Sequence, residues 1–337
     1  MLDYSQTGSL TNLEPAQVRL AEELPNDPVR ICAAVQRLVI QPGDASTLGV
    51  PEHRLAEKNL RPVNKLIAAL TALNPAPLHR PREPEERIVG TCRHFVTLAC
   101  ALLRLRGIAA RARCGFGMCF LEGRGADHWI TEYWRADERR WVRVDTEHLD
   151  HGYVPRPEDL AEGEFLTGGE AWAQYRKGLI DPQMFGVPGT DHAWGPAEIS
   201  GNAVRDLAAL CKYEMLPWDE WGRMTAAYEG TTGSDYDRLI ERSGRRLLCG
   251  RSVGTDQSVR PRGSDGTRPS AQLTPSLAVG LRGFLAAAVP GRAATPDQSS
   301  ERSGVTRREN QTPRACFTWA RLGFVITTSA PPLEGTT

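Results

Sequence analysis

Apolar residues recur every three or four positions between Thr91 and Gly107, which is the spacing of one face of a helix. Thr91 suits the N-cap of such a helix, and Gly107 suits the position just beyond its end. The pattern therefore predicts a helix that begins at Cys92. Its apolar positions are Phe95, Val96, Leu98, Ala99, Leu102, Leu103 and Leu105.

After this helix the chain alternates between apolar and other residues. Residues 108–120 place an apolar side chain at every second position, with Arg111, Arg113 and two glycines among the residues between them, and this predicts a half-buried strand. Residues 127–134 and 140–145 are predicted to form two further short strands, because polar turn segments separate them. The centre of the molecule is thus predicted to be a helix packed on an antiparallel sheet, an α+β fold.

Helices are also predicted on the N-terminal side of this unit. Asp27 and Pro28 suit the start of one helix, because a short carboxylate can cap it and proline fits its first position. Residues 52–73 are predicted to form another helix, with a break at Arg61 and Pro62.

Residues 74–86 are predicted to form a proline-rich connector, and the charge run at 80–87 is predicted to be a solvated linker. Two helical segments are predicted downstream, within residues 168–186 and 199–224. Three polar residues of the second segment are interpreted as a network on the helix surface: Asn202, Arg205 and Asp206.

The composition changes after about Leu248, where Gly, Ser, Thr, Pro and Arg begin to dominate. Such a segment cannot bury enough apolar area to offset its chain entropy, so residues 249–337 are expected to be a disordered or aberrant tail. The rest is interpreted as one domain over residues 1–248, with a helical part at 1–86, a catalytic core at 87–150 and a second helical part at 151–248.

Composition and charge narrow the class of protein. Of the 337 residues 40% are hydrophobic and 24% charged, which is typical of a soluble globular protein. The chain has no run of about 18 apolar residues and no basic, apolar start, so we expect no membrane span, no secretory signal and a cytoplasmic location. A formal net charge of zero does not favour a nucleic-acid partner. The eight cysteines lack any CxxC pair and are expected to be free thiols.

Cys92 is the candidate nucleophile. A thiol in the first turn of a helix points toward free backbone N–H groups and the positive end of the helix dipole, and both lower a cysteine pKa. Cys100 lies more than two turns further on among leucines, where burial raises a thiol pKa. Taken alone, Cys92 also fits a small buried apolar residue, so its role depends on a base nearby.

A base and a carboxylate to orient it follow on the predicted strands. Pairing Trp134 with Trp141 across the turn places His128 and Asp145 on one face of the sheet, one diagonal step apart. Cys92, His128 and Asp145 then form a candidate triad of nucleophile, base and orienting group.

These residues resemble the transglutaminase-like superfamily, whose core has a papain-like arrangement. The resemblance covers residues 87–147, with 36 residues from Cys92 to His128 and 17 from His128 to Asp145, a short spacing of bacterial type. The matching motifs are Gly90-Thr91-Cys92-Arg93, His128-Trp129 and Trp141-Val142-Arg143-Val144-Asp145. The chain departs from the family pattern at His94, at the position of the tryptophan after His128, and at Asp145-Thr146-Glu147.

The resemblance implies a cysteine-dependent acyl transfer or amide hydrolysis on a protein or peptide, through a thioester. Cys92 would attack, His128 would act as general base and then acid, and Asp145 would fix the histidine tautomer. One oxyanion donor would be the Cys92 backbone N–H. The alternatives are a peptidase or amidase that uses the same triad, and a non-catalytic peptide-binding module of the same fold.

Four nearby residues keep alternative interpretations. Asp127 is a second candidate to orient His128, although neighbours along a strand face opposite ways. His148 and His151 are a possible metal pair, but no further Cys or His pair has ligand spacing. His94 points away from Cys92 around the helix and is expected to be a surface or hydrogen-bonded histidine.

No acidic calcium-loop pattern occurs in the sequence, so turnover is expected to need no metal or other cofactor. Treatment with EDTA should therefore leave the rate of the enzyme unchanged. Loss of turnover with EDTA that calcium restores would contradict this expectation.

Overall fold

The structure is a computed structural model that describes residues 2–248. The predicted tail at 249–337 lies outside the described residues. The helices are α1 (Pro15–Leu20), α2 (Pro28–Gln36), α3 (Pro42–Thr47), α4 (Val63–Leu73), α5 (Cys92–Leu105), α6 (Gly168–Arg176), α7 (Pro196–Leu210), α8 (Met224–Tyr228) and α9 (Ser234–Leu248). The strands are β1 (Val39–Ile40), β2 (Ile88–Val89), β3 (Ala110–Leu121), β4 (Arg124–Arg135), β5 (Arg140–Val144), β6 (Phe165–Thr167) and β7 (Phe185–Gly186).

The central sheet is built on the long hairpin of β3 and β4. Its strand order is β5-β4-β3-β6 with antiparallel neighbours, and β7 pairs in parallel with β4. Trp134 lies opposite Trp141, so the predicted register of the last hairpin is confirmed. The mixed helical and antiparallel architecture is the predicted α+β class.

Helix α5 forms the core against one face of this sheet. It begins at Cys92 after the N-cap Thr91 and ends before Gly107, whose φ of 72° suits glycine. Leu98 and Leu102 are almost fully buried in a cluster with apolar residues of β3, β4 and β5. Burying one such side chain stabilises the fold by about 1.5–3 kcal/mol, so this packing fixes the position of the helix that carries Cys92.

The opposite face of the sheet is also covered, which corrects the prediction of a half-buried strand. Arg111 and Arg113 are buried and bind Glu132 of β4, at Nε–Oε2 and Nη1–Oε2 distances of 2.6 and 3.0 Å. Arg113 also binds Asp206 of α7, with an Nε–Oδ1 distance of 2.8 Å. Alternation reveals that one face of a strand is polar, but it does not reveal that acidic partners from elsewhere will cover that face.

The same contacts correct the interpretation of the polar residues in α7. Asn202, Arg205 and Asp206 are buried, and they belong to the interior between α7 and the sheet, not to a helix surface. Asn202 Nδ2 donates to the carbonyl oxygen of Gly115 at 3.2 Å. Helix α7 is therefore anchored to β3 by hydrogen bonds as well as by apolar packing.

The N-terminal helices follow the sequence prediction closely. Asp27 accepts a hydrogen bond from the Arg30 backbone N–H at 2.8 Å, and α2 begins at Pro28. The predicted break at Arg61 and Pro62 separates a 3-10 helix (Glu52–Asn59) from α4. Among the residues that the structure describes, no helix is long and apolar enough to cross a membrane.

The charge run at 80–87, predicted to be solvated, is not exposed throughout. Arg82 is 2% exposed. Its guanidinium donates hydrogen bonds to the carbonyl oxygens of Asn74 and Ala76. These bonds join the two ends of the connector.

The charge of Glu132 should be essential to stability. Glu132 is 1% exposed and binds Arg111, Arg113 and Arg143, so Glu132→Gln should lower the free energy of unfolding at neutral pH by about 3–5 kcal/mol. Burial alone would raise the pKa of Glu132, but the three arginines lower it below the ordinary 4.5. The stabilisation is therefore present above pH 4.5 and is lost as pH falls through the folded-state pKa.

Urea denaturation of the wild type and of Glu132→Gln, at neutral and at acidic pH, measures this loss of unfolding free energy. The matched control is Glu138→Gln, because Glu138 also binds two arginines, Arg135 and Arg140, but at the exposed surface. It should change the unfolding free energy little. Equal effects of the two substitutions would contradict the buried ion-pair account.

Candidate active site

Cys92 is the first residue of α5, and its side chain lies beside strand β4. The residue is 6% exposed, and the backbone N–H groups of Trp129 and Arg93 act on its sulfur so as to lower the pKa of the thiol. Strand β5 pairs with β4 only from Thr131 onward. The sulfur therefore lies beside the part of β4 that has no β5 neighbour. The helix N-terminus and the strand together hold the thiol.

The pKa of Cys92 is raised well above its ordinary value, contrary to the expectation from the helix N-terminus. Burial is the largest cause, and the carboxylates of Glu147 and Asp127 act in the same direction. The two backbone N–H groups lower the pKa but are outweighed. The resting protein therefore holds Cys92 as a neutral thiol.

His128 and Asp145 lie together, as the predicted register requires. His128 Nε2 is 3.1 Å from Asp145 Oδ1, and both side chains are buried. The two atoms are within hydrogen-bonding distance but are not aligned for a hydrogen bond. Such contacts in ligand-free sites often tighten only when substrate binds.

Cys92 joins these two residues at the same point. Its sulfur, a ring nitrogen of His128 and a carboxylate oxygen of Glu147 all lie within 4.8 Å of one another. The structure thus brings together Cys92, His128 and Asp145. Asp127, the alternative orienting residue, instead accepts a hydrogen bond from Asn202 Nδ2 at 2.8 Å.

Sequence reasoning missed His148 as a member of this site. His148 Nδ1 is 3.0 Å from Asp145 Oδ2, so one carboxylate lies between two histidine rings. Burial alone would lower the pKa of His148, but Asp145 and Glu147 raise it to about 9. Burial likewise favours the neutral form of Asp145, yet His128 and His148 lower its pKa below the ordinary range. His148 is therefore cationic and Asp145 anionic at neutral pH.

Glu147 is the second residue that sequence reasoning missed. It is 5% exposed. Its Oε1 atom accepts a hydrogen bond from Gln41 Nε2, whereas Oε2 is buried and has no hydrogen-bond partner. The backbone carbonyl of Glu147 accepts a hydrogen bond from Gln36 Nε2 at 2.9 Å. In the sequence, the only sign of this position is that Asp145-Thr146-Glu147 departs from the family pattern.

Phe120 forms one wall of the site. Its ring centroid lies 5.0 Å from the ring centroids of both His128 and His148. His151, the other member of the suspected metal pair, stacks on Tyr153. The two rings of that pair contact each other and Tyr153, but of the two only His148 contacts Asp145.

His94 is a buried, hydrogen-bonded residue that holds the start of α5. Its Nδ1 atom accepts from the Thr91 backbone N–H at 3.0 Å, and Nε2 lies 3.0 Å from the Leu60 carbonyl oxygen. Burial, together with the charge of Arg93, lowers its pKa to about 3. His94 is thus neutral and stabilises the turn from which Cys92 projects.

Cys100 is the inert thiol that the sequence predicts. It is fully buried in the α5 core, and burial raises its pKa to about 12. It supplies a matched control for Cys92, because both cysteines lie on the same helix.

Residues 57–146 match the family profile of the transglutaminase-like superfamily. Among solved structures the chain overlaps a protein from Cytophaga hutchinsonii that is provisionally named a cysteine protease, with 14% identity and a TM-score of 0.18 over 49% of this chain and 51% of that one. The chain thus spans about half the length of the Cytophaga protein, and the overlap is too weak to bear on fold or function. No curated protein matches the chain.

The ion pair of His148 with Asp145 should make stability depend on pH. The folded-state pKa of about 9 lies above the ordinary 6.5, so the stabilisation is complete below pH 6.5 and is lost as pH rises through 9. This shift corresponds to about 3 kcal/mol. In buffer containing EDTA, urea denaturation should show a fall in unfolding free energy over this range that is absent from His148→Asn.

The control for this measurement is His151→Asn, which changes a more exposed histidine three residues away. It should keep the wild-type dependence on pH. If His148→Asn also keeps it, the proposed charge on His148 is wrong.

Proposed function

We propose that this chain, which belongs to the transglutaminase-like superfamily through residues 57–146, is a cysteine-dependent enzyme that transfers or hydrolyses the acyl group of an amide. The substrate is proposed to be a glutamine side chain or a peptide bond of a protein or peptide. One observation carries the proposal: the Cys92 sulfur lies within 4.8 Å of a ring nitrogen of His128, and Asp145 lies 3.1 Å from Nε2 of that ring.

The first half-reaction forms a thioester. As the Cys92 sulfur attacks the carbonyl carbon, its proton passes to His128, and a carbon–sulfur bond forms. The carbonyl oxygen becomes an oxyanion, to which the Cys92 backbone N–H is suited as a donor. His128 then gives its proton to the leaving nitrogen, and the carbon–nitrogen bond breaks.

The second half-reaction releases the acyl group. His128 takes a proton from water or from an acceptor amine as that group attacks the thioester carbon. The carbon–sulfur bond breaks and the proton returns to the Cys92 sulfur. Water gives hydrolysis and an amine gives transfer, so one triad accounts for both reactions.

The raised pKa of Cys92 decides how the thiol is activated. A neutral thiol needs a base during the attack, so His128 acts in the reaction step itself and not by maintaining a thiolate beforehand. Positioned proton transfer of this kind contributes about 10²- to 10⁴-fold to rate. Asp145 orients the His128 ring and stabilises the imidazolium as it forms.

The state of the cysteines bears on where the enzyme acts. Among the described residues, the cysteines are free and most are buried, which is consistent with a reducing compartment. We therefore propose a cytoplasmic enzyme that acts on protein or peptide partners, and neither nucleic acid nor membrane is part of the proposal.

Turnover assays on variants test the function. Labelled amines with a panel of glutamine donors detect transfer, and labelled peptides detect cleavage. Cys92→Ala should abolish turnover, and His128→Ala should lower kcat/KM by about 10²- to 10⁴-fold. Cys100→Ala, the control on the same helix, should stay near the wild-type rate.

Retained turnover in Cys92→Ala would contradict the proposal. The alternative of a non-catalytic peptide-binding module predicts a different result: no turnover in either assay, and peptide binding that Cys92→Ala leaves unchanged.

A further inference from the structure

The acidic neighbour of the nucleophile has no role in the reaction described above. Glu147 is buried, and its Oε2 atom has no hydrogen-bond partner. A buried carboxylate oxygen without a partner is costly. A carboxylate oxygen of Glu147 lies within 4.8 Å of the Cys92 sulfur and of a ring nitrogen of His128, so three different types of ligand atom lie close together.

We propose that Cys92, His128 and Glu147 form a binding site for a divalent metal ion of the zinc class. Sulfur, imidazole nitrogen and carboxylate oxygen are the ligand atoms that zinc takes in proteins, and three protein ligands leave the fourth tetrahedral position open. The three ligand atoms lie within 4.8 Å of one another. Ligand atoms of a tetrahedral zinc site are about 3.3–3.6 Å apart, so modest side-chain movement completes the site.

The groups behind these ligands suit a metal site. A histidine that binds a metal through one ring nitrogen usually donates a hydrogen bond from the other N–H to a carboxylate, which fixes the orientation of the ring. His128 Nε2 faces Asp145, which leaves Nδ1 for the ion, and His148 holds Asp145 from the other side. Gln41 holds Oε1 of Glu147, which leaves Oε2 for the ion.

Charge balance favours a divalent cation. Binding releases the Cys92 proton, so the thiolate and the Glu147 carboxylate together neutralise the two positive charges of the ion. The sulfur ligand favours zinc and similar metals over calcium or magnesium, which prefer oxygen.

A second group of possible ligands is a weaker candidate. His128, Asp145 and His148 also bring their ligand atoms within 4.8 Å of one another. Their polar atoms already face each other at 3.0–3.1 Å, so an ion would have to displace these contacts. The Glu147 oxygen has no such contact to lose.

An ion in this site would occupy both the nucleophile and the base. Resting on the proposed function, the consequence is that zinc inhibits turnover reversibly and that EDTA restores it. The binding itself does not depend on that function and is measured without substrate.

The test uses the full chain, a chromophoric chelator that competes for Zn²⁺, and Co²⁺ as a spectroscopic probe. The wild type and Cys100→Ala should each take up one Zn²⁺ and release about one proton. Bound Co²⁺ should show thiolate-to-metal charge-transfer absorption, which Cys92→Ala removes. Loss of an outer partner costs about 10- to 100-fold in affinity, so Glu147→Gln should weaken zinc binding by at least about tenfold.

Three results would overturn the site: zinc affinity unchanged in Glu147→Gln, zinc affinity unchanged in Cys92→Ala, or cobalt bound without a thiolate band. If Glu147→Gln does not fold, protection of wild-type Cys92 from alkylation by Zn²⁺ decides, and absence of protection contradicts the site. Zinc binding without turnover on any substrate would reject the proposed function alone. Turnover without zinc binding would reject only this inference.

Discussion

The buried carboxylate of Asp145 is the interaction on which the site depends. It is 1% exposed and lies between the rings of His128 and His148. A charge in such a place is stable only when it is paired and hydrogen-bonded. Both rings must therefore keep their positions, and the ring of His128 in turn faces the sulfur of Cys92. The charge of Asp145, one diagonal step away across the sheet, thus sets the orientation of the candidate base His128.

The central sheet likewise holds a buried charge in place through its neighbours. Helix α5 packs its leucines on one face of the sheet, while Glu132 and three arginines occupy the other face. Both faces are covered, so β4 is held rigidly on each side. This rigidity suits a strand that must present a histidine to a thiol on a separate element.

Much of this arrangement is predictable from local sequence. The alternation in β4 and β5 and the pairing of Trp134 with Trp141 place His128 and Asp145 on one face, and helical spacing with Thr91 places Cys92 at a helix start. These signals are local, because side-chain direction follows directly from the period of a helix or strand.

What the sequence did not reveal depends on long-range contacts. Glu147 and His148 follow the end of β5 in an irregular turn, where no period tells which way a side chain points. Glu147 is held by Gln36 and Gln41, more than a hundred residues earlier in the chain, and His148 is held by Asp145. The raised pKa of Cys92 has the same origin, since burial and distant carboxylates outweigh the local effect of the helix N-terminus.

We infer that Cys92 draws its reactivity from His128. The most direct measurement is alkylation of the native protein with a small haloacetamide from about pH 5 to 9, with the rate at each cysteine read by peptide mass spectrometry. We expect Cys92 to react faster than Cys100, at a rate that rises with pH and falls sharply in His128→Ala. A Cys92 rate equal to that of Cys100, or one that His128→Ala leaves unchanged, would contradict it.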